Sequence, residues 1–371
     1  MKKILVIGGY GFFGSIITRR LAADPQIRVV ITGRNVDKCR ALAAELQKSP
    51  NLPLYHAMDT THDLSAVLTA VAPDIVIHTS GPFQGQGYDV AEACLAQGCH
   101  YIDLADGRDF VAGIGRLDAQ AREKNLLLVS GASSVPCLTA AVIDHYLPRF
   151  RRLEAVDYGI TVAQRTRFGA ATGAAVLSYA GKTFSALRNG AMMPVYGAQG
   201  LHAHNYPDLG LRFFGECDVP DHALFPLRYP QLKDLRFSAG QEIAALQLGI
   251  WSLSWLVRRG LVSDLAKYSA ALLKMRQMLD IFGTGKSGFH MILSGEGAGG
   301  VPQRITFYMT AKTGQGQHIP TIPSLLLATG LARGTVNERG AMPCLGLITL
   351  RQYIAGLAGL DITTLETTSP A

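Results

Sequence analysis

The apolar positions of this chain keep one rhythm for about 130 residues and then change it. In the first part, short apolar runs alternate with amphipathic stretches of helical period. That pattern predicts strand–helix–strand units and a parallel sheet. The predicted strands are residues 3–7, 28–32, 53–58, 74–78, 100–104 and 126–129. The predicted helices between them are 15–22, 36–46, 63–71, 88–97 and 115–124. The first run, Lys3-Ile4-Leu5-Val6-Ile7, reads as a strand buried on both faces at the centre of a doubly wound sheet.

Beyond residue 132 the alternation lapses. A helix is expected over 137–146, a strand over 153–163 and an Ala- and Gly-rich helix over 169–187. Residues 288–294 and 304–311 alternate as two strands around a glycine-rich loop, and 319–332 and 344–358 read as apolar helices. The fold class expected is therefore α/β, a Rossmann-type doubly wound parallel sheet with an inserted α+β second domain. Residues 1–132 would form the nucleotide domain, completed by the C-terminal helices 320–371, and 133–319 the α+β substrate or dimerisation domain.

The turn after the first strand carries glycines at 8, 9, 11 and 14. Gly9, Gly11 and Gly14 fit G-x-G-x-x-G, and Gly8, Gly11 and Gly14 fit G-x-x-G-x-x-G. Tyr10, Phe12 and Phe13 fill the places between. Such glycines give a tight turn, let a pyrophosphate approach the backbone and let the helix pack close to the strand. The helix start then offers free N–H groups to the phosphates. The strand before and the helix after supply the context this motif needs.

Strand two ends in Gly33-Arg34-Asn35, where an NAD site places a carboxylate for the ribose 2′-OH. With no carboxylate and a guanidinium instead, the turn suits the 2′-phosphate of NADP. Lys38 is a second cation one helical turn later. Asp59, closing strand three, stands where the chain passes the adenine or else caps the following helix. Thr79-Ser80-Gly81-Pro82-Phe83 closes strand four at the edge where ligands bind.

Composition narrows the class. The chain has 371 residues, 48% hydrophobic and 17% charged, which suits two globular domains. No apolar run is long and clean enough for a spanning helix. The first strand begins directly after two lysines, so no secretory leader is expected. Six cysteines without C-x-x-C spacing read as reduced thiols in a cytoplasm. The net charge of +7 suits an anionic ligand, and the scattered Lys and Arg carry no nucleic-acid motif.

Other patterns are weaker. Tyr179 and Lys182 stand one residue too close together for the Y-x-x-x-K pair of a short-chain dehydrogenase. Gly283-Thr284-Gly285-Lys286-Ser287 echoes a P-loop but has Asp280 where its first glycine belongs. The run from His202 to His222, with His204, Asp208, Glu216, Cys217 and Asp218, reads as a polar loop rather than a metal site. The helix carrying Trp251 and Trp255 is expected against a core or in a homodimer contact, in preference to a membrane surface.

The ordered set GGYGFFG, TGRN, SGPFQGQG, HYIDLADG and SGASSVP resembles the saccharopine dehydrogenase-like oxidoreductases. The resemblance implies that Gly8 to Gly14 hold the pyrophosphate and Gly33, Arg34 and Asn35 the adenosine ribose or its phosphate. It also implies that Gly81, Pro82 and Phe83 lie along the cofactor toward the nicotinamide. Where true saccharopine reductases carry a tyrosine after strand five and Asp-Pro-Gly after strand six, this chain has Ala105-Asp106-Gly107 and Ala132-Ser133-Ser134-Val135-Pro136. The expected activity is hydride transfer between NADP (or NAD) and a small carbonyl, imine or amine, with Asp103, Asp106, Tyr88 and Ser133 as candidate acids or bases. The inserted domain is expected to close over the nicotinamide. The alternatives are a non-enzymatic NADP-binding sensor or scaffold, and a transferase of the polyamine type using bound cofactor as an internal redox relay.

Overall fold

The computed structural model describes residues 1–166, 173–174 and 177–370. The chain forms two compact units, Met1–Ala140 with His318–Gly356, and Ala141–Gln317 with Leu357–Ala371.

In the first unit the strands are β1 (Lys2–Ile7), β2 (Ile27–Gly33), β3 (Leu54–Ala57), β4 (Ile75–His78), β5 (His100–Asp103) and β6 (Leu127–Ser130). They run parallel in the order β3-β2-β1-β4-β5-β6. Ile4, Leu5 and Val6 have no exposed surface, as the apolar run predicts for a central strand. The chain winds outward through β2 and β3, then crosses back to β4 on the other side of β1. That reversal opens a crevice at the carboxyl ends of β1 and β4.

A seventh parallel strand, Gly340–Pro343, extends the β6 edge and was not expected. Its sequence, Gly-Ala-Met-Pro, carries no strand signature. The Asp118 carboxylate fixes it by accepting the Ala341 N–H at 2.9 Å. Helices Ile322–Arg333 and Leu350–Gly356 belong to this unit, with Tyr353 Oη donating to the Ile319 carbonyl at 2.6 Å. The C-terminal segment is not helical to its end, however. Ile362–Pro370 is a strand of the second unit. Its Thr-rich, β-branched alternation favours a pleated edge over a helix.

The second unit is built on β7 (Phe150–Val162), β8 (Thr183–Arg188), β9 (Ala191–Tyr196), β10 (His202–Tyr206), β11 (Gly210–Glu216), β12 (Asp234–Gln241), β13 (Ser287–Gly297) and β14 (Pro302–Ala311). Its main sheet runs β10-β11-β12-β7-β13-β14 and ends on the C-terminal strand. Only β7 and β12 pair in parallel. β8 and β9 form a separate hairpin. Within the helix expected over 169–187, residues 169–172 and 175–176 lie outside the described residues, and β8 begins at Thr183.

The stretch from His202 to Glu216 is a hairpin, not a polar loop. His202, His204 and Tyr206 share one side of β10, and these inward positions are polar rings where a sequence pattern looks for Val or Ile. The His204 ring stacks on His290 with centroids 3.9 Å apart, and Tyr206 Oη meets His290 Nδ1 at 2.7 Å. Burial pushes the His204 imidazole down to about 4, so it is neutral at pH 7. Among the described residues no group of three or more His, Cys, Asp or Glu side chains is arranged to hold a metal ion.

The tryptophan helix is Ala244–Arg258, and both indoles are half-buried within the chain rather than enclosed. Arg258 lies 3.8 Å from the Tyr196 ring centroid and 4.8 Å from that of Trp255, a cation–π sandwich. Thr284 donates to Glu242, and the Gly283–Ser287 segment leads into β13 instead of a helix, so it is no phosphate loop. Among the described residues no helix is long and apolar enough to cross a membrane.

Candidate functional site: a nucleotide edge on the first sheet

The crevice between β1 and β4 is closed below by the glycine turn. Gly8 adopts φ +73°, the left-handed conformation that glycine tolerates, and its carbonyl accepts the Gly11 N–H at 2.7 Å. A Cβ on Gly14 would lie 2.1 Å from the Gly8 oxygen, and one on Gly11 would lie 2.9 Å from it. Both motif readings placed Gly11 and Gly14, and the geometry makes Gly8 the turn glycine of the set. Gly9 serves packing, since its Cβ would meet an Ile31 methyl at 2.9 Å.

Helix Phe12–Ala22 starts from Gly11 with no side-chain cap and no acidic residue in its first turn. Its first-turn N–H groups therefore face the crevice mouth unpaired by any cap, with the positive end of the helix dipole behind them. Thr79 ties β4 to this turn: its Oγ1 donates to the Ile7 carbonyl at 2.8 Å, and its N–H donates to the same oxygen at 3.0 Å. Ser80 Oγ lies just 2.5 Å from where a Gly8 Cβ would be, so it shares the floor of the site.

On the adenosine side, Arg34 and Lys38 are exposed at the end of β2. Asn35 is the N-cap of helix Val36–Glu45, its Oδ1 accepting from Lys38 N–H at 3.0 Å. Gly33 makes room for a side chain of the protein itself: its Cβ would fall 2.4 Å from Tyr10 Cε1. Tyr10 Oη accepts the Asn35 N–H at 3.2 Å. Asp59 accepts from Thr61 N–H and Oγ1 at 3.0 and 2.7 Å, and these bonds hold its carboxyl below the usual range. It caps its own turn. The helix that follows, Leu64–Val71, begins from Asp63 instead.

At the other end, Phe83 is buried against His78 and Phe110, with ring centroids 5.1 and 5.3 Å away. The 81–83 turn abuts the Ala105-Asp106-Gly107 turn, and Gln84 Nε2 donates to Asp106 Oδ1 at 3.1 Å. Asp106 is partly exposed, yet burial of its carboxyl raises its pKa against the Gln84 bond. Such a carboxyl keeps its proton to higher pH than a free one. Gln84 carried no sequence signal beyond following the G-P-F turn.

The other candidates are placed differently. Asp103 has no exposed surface and accepts from Gly131 N–H, Ala105 N–H and Ser130 Oγ at 2.8, 2.9 and 3.0 Å. It fastens the ends of β5 and β6 together. Tyr88 donates its hydroxyl to the Phe110 carbonyl, stacks on the Phe110 ring and carries Arg116 over its other face at 4.0 Å. Burial pushes its phenol up to about 12. Ser133 is half-buried just after β6, ahead of the turn Ser134–Leu138.

Residues 4–130 match the family described as the saccharopine dehydrogenase NADP binding domain. That match covers about a third of this chain. The whole chain is also similar in fold to apo saccharopine dehydrogenase (L-Glu forming) from Saccharomyces cerevisiae, with a TM-score of 0.70 at 12% identity over 99% of this chain and 100% of that one. A trans-acting enoyl reductase of Mycobacterium leprae is 27% identical over 139 residues, 36% of this chain and 33% of that protein. A glutamyl-tRNA reductase of Chlorobium luteolum is 33% identical over 85 residues, 23% of this chain and 20% of that protein. The chain thus spans about a third and a fifth of the length of these two curated relatives.

The residues of this domain fit NADP. The glycine cradle leaves no room for any Cβ at Gly14, the helix start is uncapped, and the β2 turn offers Arg34 and Lys38 without a carboxylate.

Proposed function

We propose that the protein is an NADP-dependent oxidoreductase acting on a small carbonyl, imine or amine. The observation that carries the reading is the half-buried Asp106 carboxyl, poised by Gln84 beside the 81–83 turn on the same sheet edge as the glycine cradle. Bound NADP would supply or accept the hydride. The protein's part is to bind and orient. The Gly8–Gly14 turn and the open helix start take the pyrophosphate, with Thr79 and Ser80 along the same floor. Arg34 and Lys38 take the 2′-phosphate. Gly81, Pro82 and Phe83 form the wall toward the nicotinamide, and Asp106 gives up the proton that a carbonyl or imine gains on reduction, or accepts it in the reverse, oxidative direction.

The test is NADPH oxidation across a panel of aldehydes, ketones and keto acids, each with and without an added amine. Turnover that falls on Asp106→Asn supports the reading. Tight NADP binding without turnover on any member would favour a rival, a non-enzymatic NADP-binding sensor. That rival draws on the structural engagement of Asp103 and Tyr88, which leaves few free acids at the edge.

Cofactor choice gives a separate prediction. Arg34→Ala is expected to weaken NADP on the order of tenfold to a hundredfold, through loss of a charge-assisted contact, and to leave NAD nearly unchanged. Because Arg34 is exposed, the NADP preference should shrink as salt rises. Calorimetric titration of both nucleotides into native protein and variant checks this. Equal affinity of the native protein for the two would remove Arg34 from the argument.

A further inference from the structure

We propose that Tyr10 is itself a ligand of the cofactor's 2′-phosphate, donating its phenol O–H, and not only a spacer in the glycine turn. The inference rests on the NADP reading above and adds a third donor to Arg34 and Lys38.

Tyr10 stands between Gly9 and Gly11, a place where the motif tolerates any residue. Its ring does not turn toward the phosphates of the glycine turn. It leans across to β2 and packs against Gly33. A Cβ built there would sit 2.4 Å from Cε1, 3.0 Å from Cζ and 3.2 Å from Cδ1. The lack of a side chain at Gly33 is thus explained by Tyr10. The ring joins the glycine turn to the β2 turn, and Lys38 Nζ lies 5.8 Å from its centroid.

The hydroxyl decides the role. A phenol oxygen can donate one hydrogen bond and accept others. Tyr10 Oη accepts the Asn35 N–H at 3.2 Å. That bond uses a lone pair and leaves the O–H proton available, at the tip of a half-buried ring with an exposed arginine and lysine beside it. Asn35 Oδ1, the nearest side-chain acceptor in sequence, is engaged by the Lys38 N–H. The nearby carboxylates are engaged by other groups, Asp59 by Thr61 and Asp37 by Arg40, so a proton donor beside Arg34 and Lys38 calls for an anionic acceptor. A phosphate monoester on the ribose 2′ position meets that demand. An O–H···O⁻ bond to phosphate is roughly twice as strong as the neutral bond a 2′-hydroxyl would accept, so the contact also discriminates.

The test uses two fragments of the cofactor, adenosine 2′,5′-bisphosphate and ADP, titrated calorimetrically into native protein, Tyr10→Phe, Tyr10→Ala and Gly33→Ala. Tyr10→Phe keeps the ring on Gly33 and removes only the hydroxyl. It is expected to lose about tenfold in affinity for the bisphosphate and to bind ADP as the native protein does. Tyr10→Ala and Gly33→Ala should lose at least as much, because both also release the β2 turn. A tyrosine ultraviolet difference spectrum on adding the bisphosphate should appear in native protein and vanish in Tyr10→Phe. Unchanged bisphosphate affinity in Tyr10→Phe, or equal losses for both fragments, would overturn direct donation. Native protein that fails to separate the two fragments would instead overturn the NADP reading beneath it.

Discussion

Gly14→Ala is expected to weaken NADP binding on the order of a hundredfold while leaving the second unit folded. The added Cβ would sit 2.1 Å from the Gly8 oxygen, 2.8 Å from the Gly8 carbonyl carbon and 2.9 Å from Thr79 Oγ1. Real Cβ atoms do not approach backbone that closely, so something must shift. The obstacle is main chain, and it is pinned. Gly8 is held at φ +73°, and its carbonyl already takes the Gly11 N–H at 2.7 Å. Helix Phe12–Ala22 must therefore move away from β1, carrying its uncapped first turn with it.

Displacement of about an ångström at a binding geometry costs on the order of a hundredfold. Overpacking at this contact should add about 1–3 kcal/mol of destabilisation. Gly115→Ala is the control, since no atom lies within 4 Å of its added Cβ. Calorimetry with NADP, beside circular dichroism to follow folding, reads both effects. Native affinity in Gly14→Ala would mean that the helix start is not the phosphate site.

The parts of the site that follow from main-chain requirements were legible in the sequence. The glycines, the apolar β1 and the turn residues after β2 and β4 each answer to a local steric or electrostatic need, and local needs leave local patterns. What was hidden depends on partners far apart in the chain. Gln84 meets Asp106 across 22 residues, and Asp103 meets Gly131 across 28. No spacing rule marks either pair. Gly33 was legible as an open position, but the occupant of the space, Tyr10, comes from another loop. In the second unit the strands β10 and β11 were missed because His202, His204 and Tyr206 point inward, where alternation is sought among aliphatic residues. The C-terminal strand was missed for a different reason. Its β-branched threonines suit a strand, but the partner that holds them, β14, lies about 50 residues back in the chain.

The last expectation separates the two carboxylates at the end of β5, which the sequence could not tell apart. Asp103→Ala should damage stability, and Asp106→Asn should damage turnover. Removing the Asp103 carboxylate leaves the Gly131 N–H, the Ala105 N–H and the Ser130 hydroxyl without their acceptor in a fully buried place. An unsatisfied buried donor costs about 1–3 kcal/mol, partly offset here by relief of a buried charge, so a net loss of about 2–5 kcal/mol is expected. The pH dependence has an unusual sign. Burial, working against those three hydrogen bonds, pushes Asp103 from its ordinary 3.8 up to about 6. A carboxyl whose folded value is raised stabilises most when protonated. Its contribution is complete below about pH 4 and is lost as pH rises through about 6, a change on the order of 3 kcal/mol. Asp103→Asn keeps an acceptor oxygen but cannot ionise. Its stability should therefore be flatter than that of the native protein between pH 4 and 7, and NADP binding should persist. Asp106→Asn, by contrast, should keep the native melting temperature and lose about a hundredfold or more in kcat on the panel. Urea unfolding of each variant at pH 4.5 and 7.5, with kcat measured in parallel, tests both assignments. A stable Asp103→Ala with native pH dependence would strip Asp103 of its role as the fastener between β5 and β6. An Asp106→Asn with full kcat would move the proton elsewhere, to the half-buried Ser133 first.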